Sequence, residues 1–390
     1  MTLMHTHAYP TCLVTVSSPV IRLRFWVTVW TLYEGARLAE STLTMRLRHI
    51  DRFYLHCDER FGLDALDNAL GDKDPVRVLK LVESFYVLIN SKKSRNTSDE
   101  QCWDAVSNFI HFFANQWAVR DAVWGNFKKA VALPGGIRSS VSAKIRFVRA
   151  LPSAVLDDLF AKAMPLASQN PFKEQSIQFR NWILVMLMVL YGLRRGETLL
   201  LTVDSLNQGL NLDTGELKFW LNVTNTGDDD DRATPPSIKT AASHRQIPIS
   251  EEMAEAIENY ISEFRVATGD HRFLITERSG KALSVSSVDK TLRQLSLALS
   301  PSSLELFQSQ TKKRYISSHD LRHTCACIRY NMFTTSKDAA RTMENMCEFF
   351  GWEPNSNMPN KYSRGAIQGS LEKYGNEKFE KTLSRYRTAV

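Results

Sequence analysis

The segment Ser318-His319-Asp320-Leu321-Arg322-His323-Thr324 puts two imidazoles and a guanidinium within five residues. On a helix His319, Arg322 and His323 fall at i, i+3 and i+4 and so share one face. Arginine is seldom buried without a partner. Its planar fork of N–H donors matches the oxygens of a phosphate or carboxylate. A face of this composition is suited to an anion. Taken alone, the segment also reads as a solvated helix start with Asp320 in its acidic first turn, and both readings stand until the rest of the chain is weighed.

Further residues of the same kind lie far away in the chain. Gly192-Leu193-Arg194-Arg195-Gly196-Glu197 closes an apolar run that begins at Trp182. Arginines beside a buried apolar helix need an anionic partner or solvent. Ile238-Lys239-Thr240-Ala241-Ala242-Ser243-His244-Arg245 lies between strand-like stretches, and Phe350-Gly351-Trp352 precedes Pro359-Asn360-Lys361-Tyr362-Ser363-Arg364. Attack on a phosphodiester builds negative charge on the non-bridging oxygens, which metal enzymes meet with cations held by carboxylates. Paired carboxylates or a His-Glu spacing suited to a metal are not found in this sequence, so no metal and no other cofactor is expected. His319-Asp320 suggests an HD-type metal phosphohydrolase, but the further His and Asp ligands of that chemistry do not follow. Always-charged arginines can do the electrostatic work instead.

The elements that must position these residues are mostly helical. Leu43, Leu47, Ile50, Phe53, Tyr54 and Phe61 recur at helical spacing, as do Val78, Leu81, Val82, Phe85 and Leu88, and again Trp103, Val106, Phe109, Ile110, Phe113 and Trp117. Ser41 or Thr42 is expected to cap the first helix, and Asp64 to Pro75 reads as a connector. Pro134 to Lys144, with paired glycines and serines, reads as an interdomain linker. Beyond it, helices are expected over Pro152 to Ala163 and Ile177 to Tyr191. Strands follow at Thr202 to Leu206, Leu217 to Val223 and Gln246 to Ile249, with a turn at Asp213-Thr214-Gly215. Helices resume from Ser250, and run from Val285 to Leu299, Ser318 to Tyr330, Lys337 to Phe350 and Leu371 to Tyr386. The expected fold is mainly α with a small antiparallel β-sheet. The expected divisions are an N-terminal extension of uncertain role (1–30), a helical domain (31–140) and an α+β domain (141–390).

Composition is that of an ordinary globular chain. Of 390 residues, 43% are hydrophobic and 23% charged, and 49 Lys and Arg against 42 Asp and Glu give a formal net charge of +7. This surplus permits a nucleic-acid partner without establishing one. The six cysteines show no CxxC pair and read as reduced thiols. The apolar run from Trp182 to Leu193 is too short to span a membrane, and Arg22 and Arg24 interrupt the apolar N-terminal stretch, against the order of a signal peptide. An intracellular protein is expected.

Together the separated pieces resemble the tyrosine recombinase (phage integrase) family, and their order along the chain is the family's. The resemblance covers roughly residues 150 to 370. It implies an integrase-type catalytic domain behind a helical core-binding domain. It assigns Arg194 as the first arginine, Lys239 as the β-turn lysine, His319 and Arg322 as the His-x-x-Arg box, Trp352 as the His/Trp position and Tyr362 as the nucleophile. His323 and Glu197 would support them; for Glu197 an ion pair with Arg194 and a solvated helix start both stand. Lys92, Lys93, Arg95, Arg138, Lys144, Arg245, Lys312, Lys313 and Arg314 are candidate contacts to the DNA backbone; a structural contact also stands for Arg245, and a solvated surface for Lys92, Lys93, Arg95, Lys312, Lys313 and Arg314. The family implies duplex DNA carrying specific recombination sites as partner, a homotetramer on that DNA, and accessory DNA-bending or excision factors. The implied reaction is strand cleavage and rejoining through a 3′-phosphotyrosine. A type IB topoisomerase-like enzyme, a telomere resolvase and an inactive DNA-binding regulator are the alternatives. Two features depart from the family. The stretch from Arg322 to Tyr362 is several residues longer than usual, and Asp228 to Asp231 lengthens the turn that carries Lys239.

Overall fold

The structure, a computed structural model, describes residues 2–4, 12–17, 20–34, 37–118, 123–124, 126–127, 137, 150–225, 230–232, 235–238, 240–334, 339–354, 356 and 358–359. The chain forms two compact units, Met1–Arg146 and Phe147–Val390.

The first unit opens with a three-stranded antiparallel sheet, β1 (Thr2–Met4), β2 (Cys12–Ser17) and β3 (Val20–Leu23), in that order. Helix α1 (Phe25–Glu34) follows. Val27 and Trp30 of α1 are buried in the core of this unit. Arg24 is buried with them. It forms ion pairs with Asp58 and Asp64, and its guanidinium lies 4.7 Å over the Tyr54 ring. Its carboxylate partners come from 34 and 40 positions away, which no local pattern reveals.

Helices α2 (Glu40–Phe61), α3 (Ala65–Gly71), α4 (Pro75–Asn90) and α5 (Thr97–Ala118) complete the unit. They meet through the apolar faces that their 3.6-residue spacing aligns, with Leu47, Ile50, Phe53, Val78, Phe85, Val106 and Phe109 fully buried. Two local expectations change. The connector after Asp64 holds α3, a helix too short to show a period, whose Leu66, Ala69 and Leu70 are nonetheless buried. Ala39 occupies the cap position of α2 with no side-chain cap, because the helix begins before Ser41. Asp74 instead caps α4, accepting from Val76 N at 3.0 Å and Arg77 N at 3.1 Å, with Pro75 in the first turn.

The second unit starts with α6 (Ser153–Ala163), α7 (Gln175–Leu190) and the short α8 (Arg195–Leu200). Next comes an antiparallel sheet of order β4-β5-β6, formed by β4 (Leu206–Leu210), β5 (Leu217–Val223) and β6 (Arg245–Ile249). Helices α9 (Glu251–Asn259), α10 (Val285–Ala298), α11 (Pro301–Thr311), α12 (Ser318–Phe333) and α13 (Ala339–Phe350) follow. Helix α7 is buried on every side from Trp182 to Leu190 and packs against α12. It is the central post of the unit, which explains why its sequence lacks an amphipathic period. The registers Leu206↔Leu221 and Phe219↔Ile249 turn Leu221, Val223, Ile247 and Ile249 into the same core.

The stretch expected as a strand from Thr202 begins instead as a 3-10 turn, Val203–Ser205, because Ser205 Oγ accepts the Thr202 N–H at 2.9 Å. The strand runs on from Leu206. Helix α11 has no counterpart among the expected elements, although Ser300 caps it and Pro301 occupies its first turn. Burial pushes the Cys325 thiol up to about 11 and the Cys327 thiol up to about 12, so both remain protonated core groups. Among the described residues no helix is long and apolar enough to cross a membrane.

Candidate active site

The start of α12 is built around a buried carboxylate. Asp320 accepts from Ser317 N at 3.0 Å and from Ser317 Oγ at 2.6 Å, and it also takes the Lys313 ammonium. Thr324 Oγ1 donates to Asp320 O and accepts from Leu151 N, both at 2.8 Å. This knot fixes the helix start. Lys313, a candidate DNA contact, pairs with Asp320 while 33% of its side chain stays exposed.

One turn on, Arg322 points inward. Its side chain is 5% exposed, Nη1 donates to Gly192 O, and Nη2 donates to Phe350 O at 2.7 Å. The guanidinium stands 5.1 Å from the Phe350 ring and 5.7 Å from the Trp352 ring. These two rings stack at 4.8 Å with 16° between their planes. Trp352 is therefore a buried apolar platform under Arg322. Gly192 has φ +61°, and a Cβ there would meet the Phe350 ring at 2.3 Å. The close approach of α7's end to Arg322 needs a glycine at this position.

Arg194 occupies the cap position of α8. Its backbone N donates to Glu197 Oε2 at 2.9 Å, its Nη1 pairs with Glu197 Oε1, and the same Nη1 donates to Ser243 Oγ at 3.1 Å. Glu197 is 2% exposed and also receives Arg245 Nη2 at 3.1 Å, with Arg322 Nη1 at 3.7 Å. One buried carboxylate thus holds guanidiniums from α8, β6 and α12. Burial would raise the Glu197 carboxyl, but the charges of Arg245, Arg322 and Arg194 outweigh it and hold the group below its ordinary value.

That shift has a sign. A carboxyl depressed in the folded state adds stability above its unfolded value of 4.5, and this stability is lost as pH falls through the folded value. The urea midpoint of the wild type is expected to fall as pH drops from 5 to 3, and Glu197→Gln to lower the midpoint at pH 7 while flattening that fall. An equal acid slope in both proteins would rule out this role for Glu197.

Of the phosphate contact and the structural contact open to Arg245, its bonds are those of a structural contact. Its side chain is 5% exposed, with Nε on Phe349 O at 2.9 Å and Nη1 on Ser243 O at 2.8 Å. Its donors are turned to the interior because Glu197 needs the charge. Arg194 keeps 31% of its side chain exposed. Its neighbour Arg195 faces away and pairs with Asp289 on the surface. Ser243 links the pieces, since its Oγ also donates to Gly351 O at 3.2 Å and bonds Thr240 Oγ1 at 3.1 Å. Ser243 and Gly351 carry no local sign of this role, which arises only from the packing of α13 on β6.

Gly351 has φ +58°, and a Cβ there would lie 2.8 Å from Ser243 Cα and from Arg245 Nη1. Gly351→Ala is expected to cost about 2–4 kcal/mol, from left-handed backbone strain and overpacking. Urea denaturation measures it, and a loss under about 0.5 kcal/mol, the ordinary range of a surface change, would refute the account.

His319 is exposed on α12 and His323 is half-buried, with ring centroids 6.4 Å apart. His323 Nδ1 lies 3.7 Å from Cys327 Sγ. Lys239, Tyr362, Arg138, Lys144 and the expected helix from Leu371 to Tyr386 lie outside the described residues. Of the other basic residues, Lys92 pairs with the buried Asp99, and Arg95 Nη1 donates to Asn90 Oδ1 at 2.8 Å. Lys93, Lys312 and Arg314 are exposed.

A mainly helical α+β domain that gathers three arginines on one buried carboxylate is a framework suited to a phosphate group. Comparison with known proteins places part of the chain: residues 161–344 match the model of the phage integrase family. No curated protein matches the chain. Among solved structures it is similar to the Tn1549 transposon integrase in complex with transposon right end DNA, at 13% identity and TM-score 0.49, over 89% of this chain and 98% of that one. It is also similar to the lambda integrase bound to DNA, at 12% identity and TM-score 0.48, over 90% and 98%. The XerH site-specific recombinase bound to difH substrate matches at 14% identity and TM-score 0.47, over 88% and 78%.

Proposed function

We propose that this protein recombines DNA at specific sites, integrating or excising a mobile element, by cleaving and rejoining strands through a 3′-phosphotyrosine at Tyr362. The observation that carries the reading is the convergence of Arg194 and Arg322, from α8 and α12, on Glu197. Their second anchor is the main chain at Phe350 and Gly351, just before Trp352. The two arginines would grip the non-bridging oxygens of the scissile phosphate, and guanidiniums held in place need no reorganisation as charge develops there. Tyr362 Oη forms a bond to phosphorus as the bond from phosphorus to the 5′-oxygen breaks. The phenolic proton passes to the His319 imidazole, and the Lys239 ammonium gives a proton to the departing 5′-oxygen. The covalent link conserves the phosphodiester, so a second strand's 5′-hydroxyl can attack it and no ATP is required.

Support for Lys239 comes from its neighbours in sequence. Thr240 bonds Ser243, which accepts from Arg194. In this reading the helical first unit is the core-binding domain. Lys93, Arg138, Lys144, Lys312 and Arg314 contact DNA backbone, four copies assemble on two sites in the cytoplasm with accessory DNA-bending or excision factors, and residues 371–390 dock on a neighbouring copy.

The test is a cognate site carrying a nick near the cleavage position, which traps the covalent adduct. An adduct that forms at full yield in EDTA supports the proposal, because the arginines supply the charge. Abolition by EDTA would point to metal-dependent hydrolysis. Relaxation of any supercoiled plasmid without site preference would point to a topoisomerase.

A further inference from the structure

The segment joining β5 to β6 is pinned at its middle by one buried arginine. Arg232 is 4% exposed. Its Nε and Nη2 meet the two carboxylate oxygens of Asp230 at 2.7 and 2.5 Å. Its Nη1 donates to Leu199 O at 3.2 Å and to Leu283 O at 3.1 Å, and the guanidinium lies 4.4 Å over the Phe273 ring. Of the acidic tract, Asp230 is thus turned inward as a counterion.

Leu199 belongs to α8, the helix whose first turn carries Arg194 and Glu197. Pro236 and Ser237 lie against that helix at Gly196. A Cβ at Gly196 would stand 3.5 Å from Pro236 Cβ. Ile238 packs against the main core and against the small cluster of Leu200, Phe273 and Ala282. Its N–H donates to Asn225 Oδ1 at 3.3 Å. Thr240 then bonds Ser243. The residues on both sides of position 239 are therefore tied to the element that holds Arg194.

Burying a guanidinium is a poor way to gain stability alone, since an apolar side chain of similar size often does as well or better. What the guanidinium adds is direction: a rigid fork that joins its own loop to two fixed carbonyls. We propose that Arg232, oriented by Asp230, is a positioning residue that sets the reach of Lys239 to the departing 5′-oxygen. This rests on the reading of Lys239 as general acid.

The leaving group provides the test. With a 5′-bridging oxygen, the bond from phosphorus to oxygen breaks and the oxygen must take the Lys239 proton. With sulfur in that bridge, the bond from phosphorus to sulfur breaks and sulfur departs as a thiolate. A thiol has a pKa of about 8.5, far below the 15.7 or so of water, so no proton need be given. A defect confined to proton delivery is therefore rescued by sulfur, whereas a defect in folding, DNA binding or the phosphate grip is not.

The full chain and its Arg232→Ala, Arg232→Lys, Asp230→Asn and Lys239→Ala variants are assayed for adduct formation on nicked sites with either bridge. Arg232→Ala is expected to slow cleavage of the oxygen bridge by on the order of 10²-fold, the scale of general acid catalysis, and to leave the sulfur bridge nearly unaffected. Arg232→Lys keeps the charge but loses the fork, and should show the same pattern. Asp230→Asn should show it more weakly. Equal losses on both bridges, in step with weaker DNA binding or a lower Tm, would make Arg232 merely structural and overturn the proposal. If Arg232→Ala does not fold, the other two variants carry the same comparison. Lys239→Ala separates the two levels. If sulfur fails to rescue it, the general-acid reading falls and this inference with it. If sulfur rescues Lys239→Ala but none of the Arg232 and Asp230 variants, the positioning role alone fails.

Discussion

Tyr362→Phe is expected to abolish the covalent protein–DNA adduct on a nicked cognate site, by at least roughly 10⁴-fold, while DNA binding stays within a few-fold of wild type. The substitution removes one oxygen and keeps the ring, so only the proposed nucleophile is lost. An unperturbed phenol with a pKa of about 10 is a weak nucleophile at neutral pH, and in the proposed reaction the cations gripping the phosphate would favour its phenolate. Phe350 O accepts from Arg322 and Gly351 O from Ser243, which ties these two residues to the arginine cluster. Tyr330→Phe, on the half-buried side of α12, is the matched control and should form the adduct normally. An adduct that persists in Tyr362→Phe would assign the nucleophile elsewhere.

The second large effect is at Arg322. Arg322→Lys is expected to lower the rate of adduct formation by about 10²–10³-fold, the scale on which one preorganised transition-state donor acts. An ammonium keeps the charge but cannot reach Gly192 O, Phe350 O and a phosphate oxygen in one plane. It also loses the flat contact with the Phe350 and Trp352 rings. Arg322→Ala should lose stability as well, because two carbonyls and part of the Glu197 charge are left buried without a donor. Arg195→Ala is the contrast. Its ion pair with Asp289 lies at the surface, with 36% of the Arg195 side chain exposed, and such pairs contribute about 0–1 kcal/mol. Adduct formation within a few-fold of wild type is expected there. Comparable losses at positions 195 and 322 would show that the site needs positive charge only, with no fixed geometry.

Much of the frame was legible in the residues. Helical spacing marks α2, α4 and α5 because their buried faces recur every turn. The unbroken apolar run marks α7 because a helix enclosed on all sides has no polar face to alternate with. Short elements were hidden: α3 and the 3-10 turn at Val203 are set by a few capping and backbone contacts, which a period cannot register.

The sequence by itself determined the residue types and their order: two separated arginines, a His-x-x-Arg box, a turn lysine and a tyrosine after Gly-Trp. Chemistry of that kind is local, carried by each side chain's charge and donors. Only the tertiary structure decided what those residues face. It turned Arg245 into a buried counterion of Glu197, made Asp230 the partner of Arg232, and gave Trp352 a place under Arg322. Each of these follows from desolvation, since a charge that leaves water must find its partner wherever the fold brings one. That partner is set by packing between distant segments rather than by neighbours in the chain.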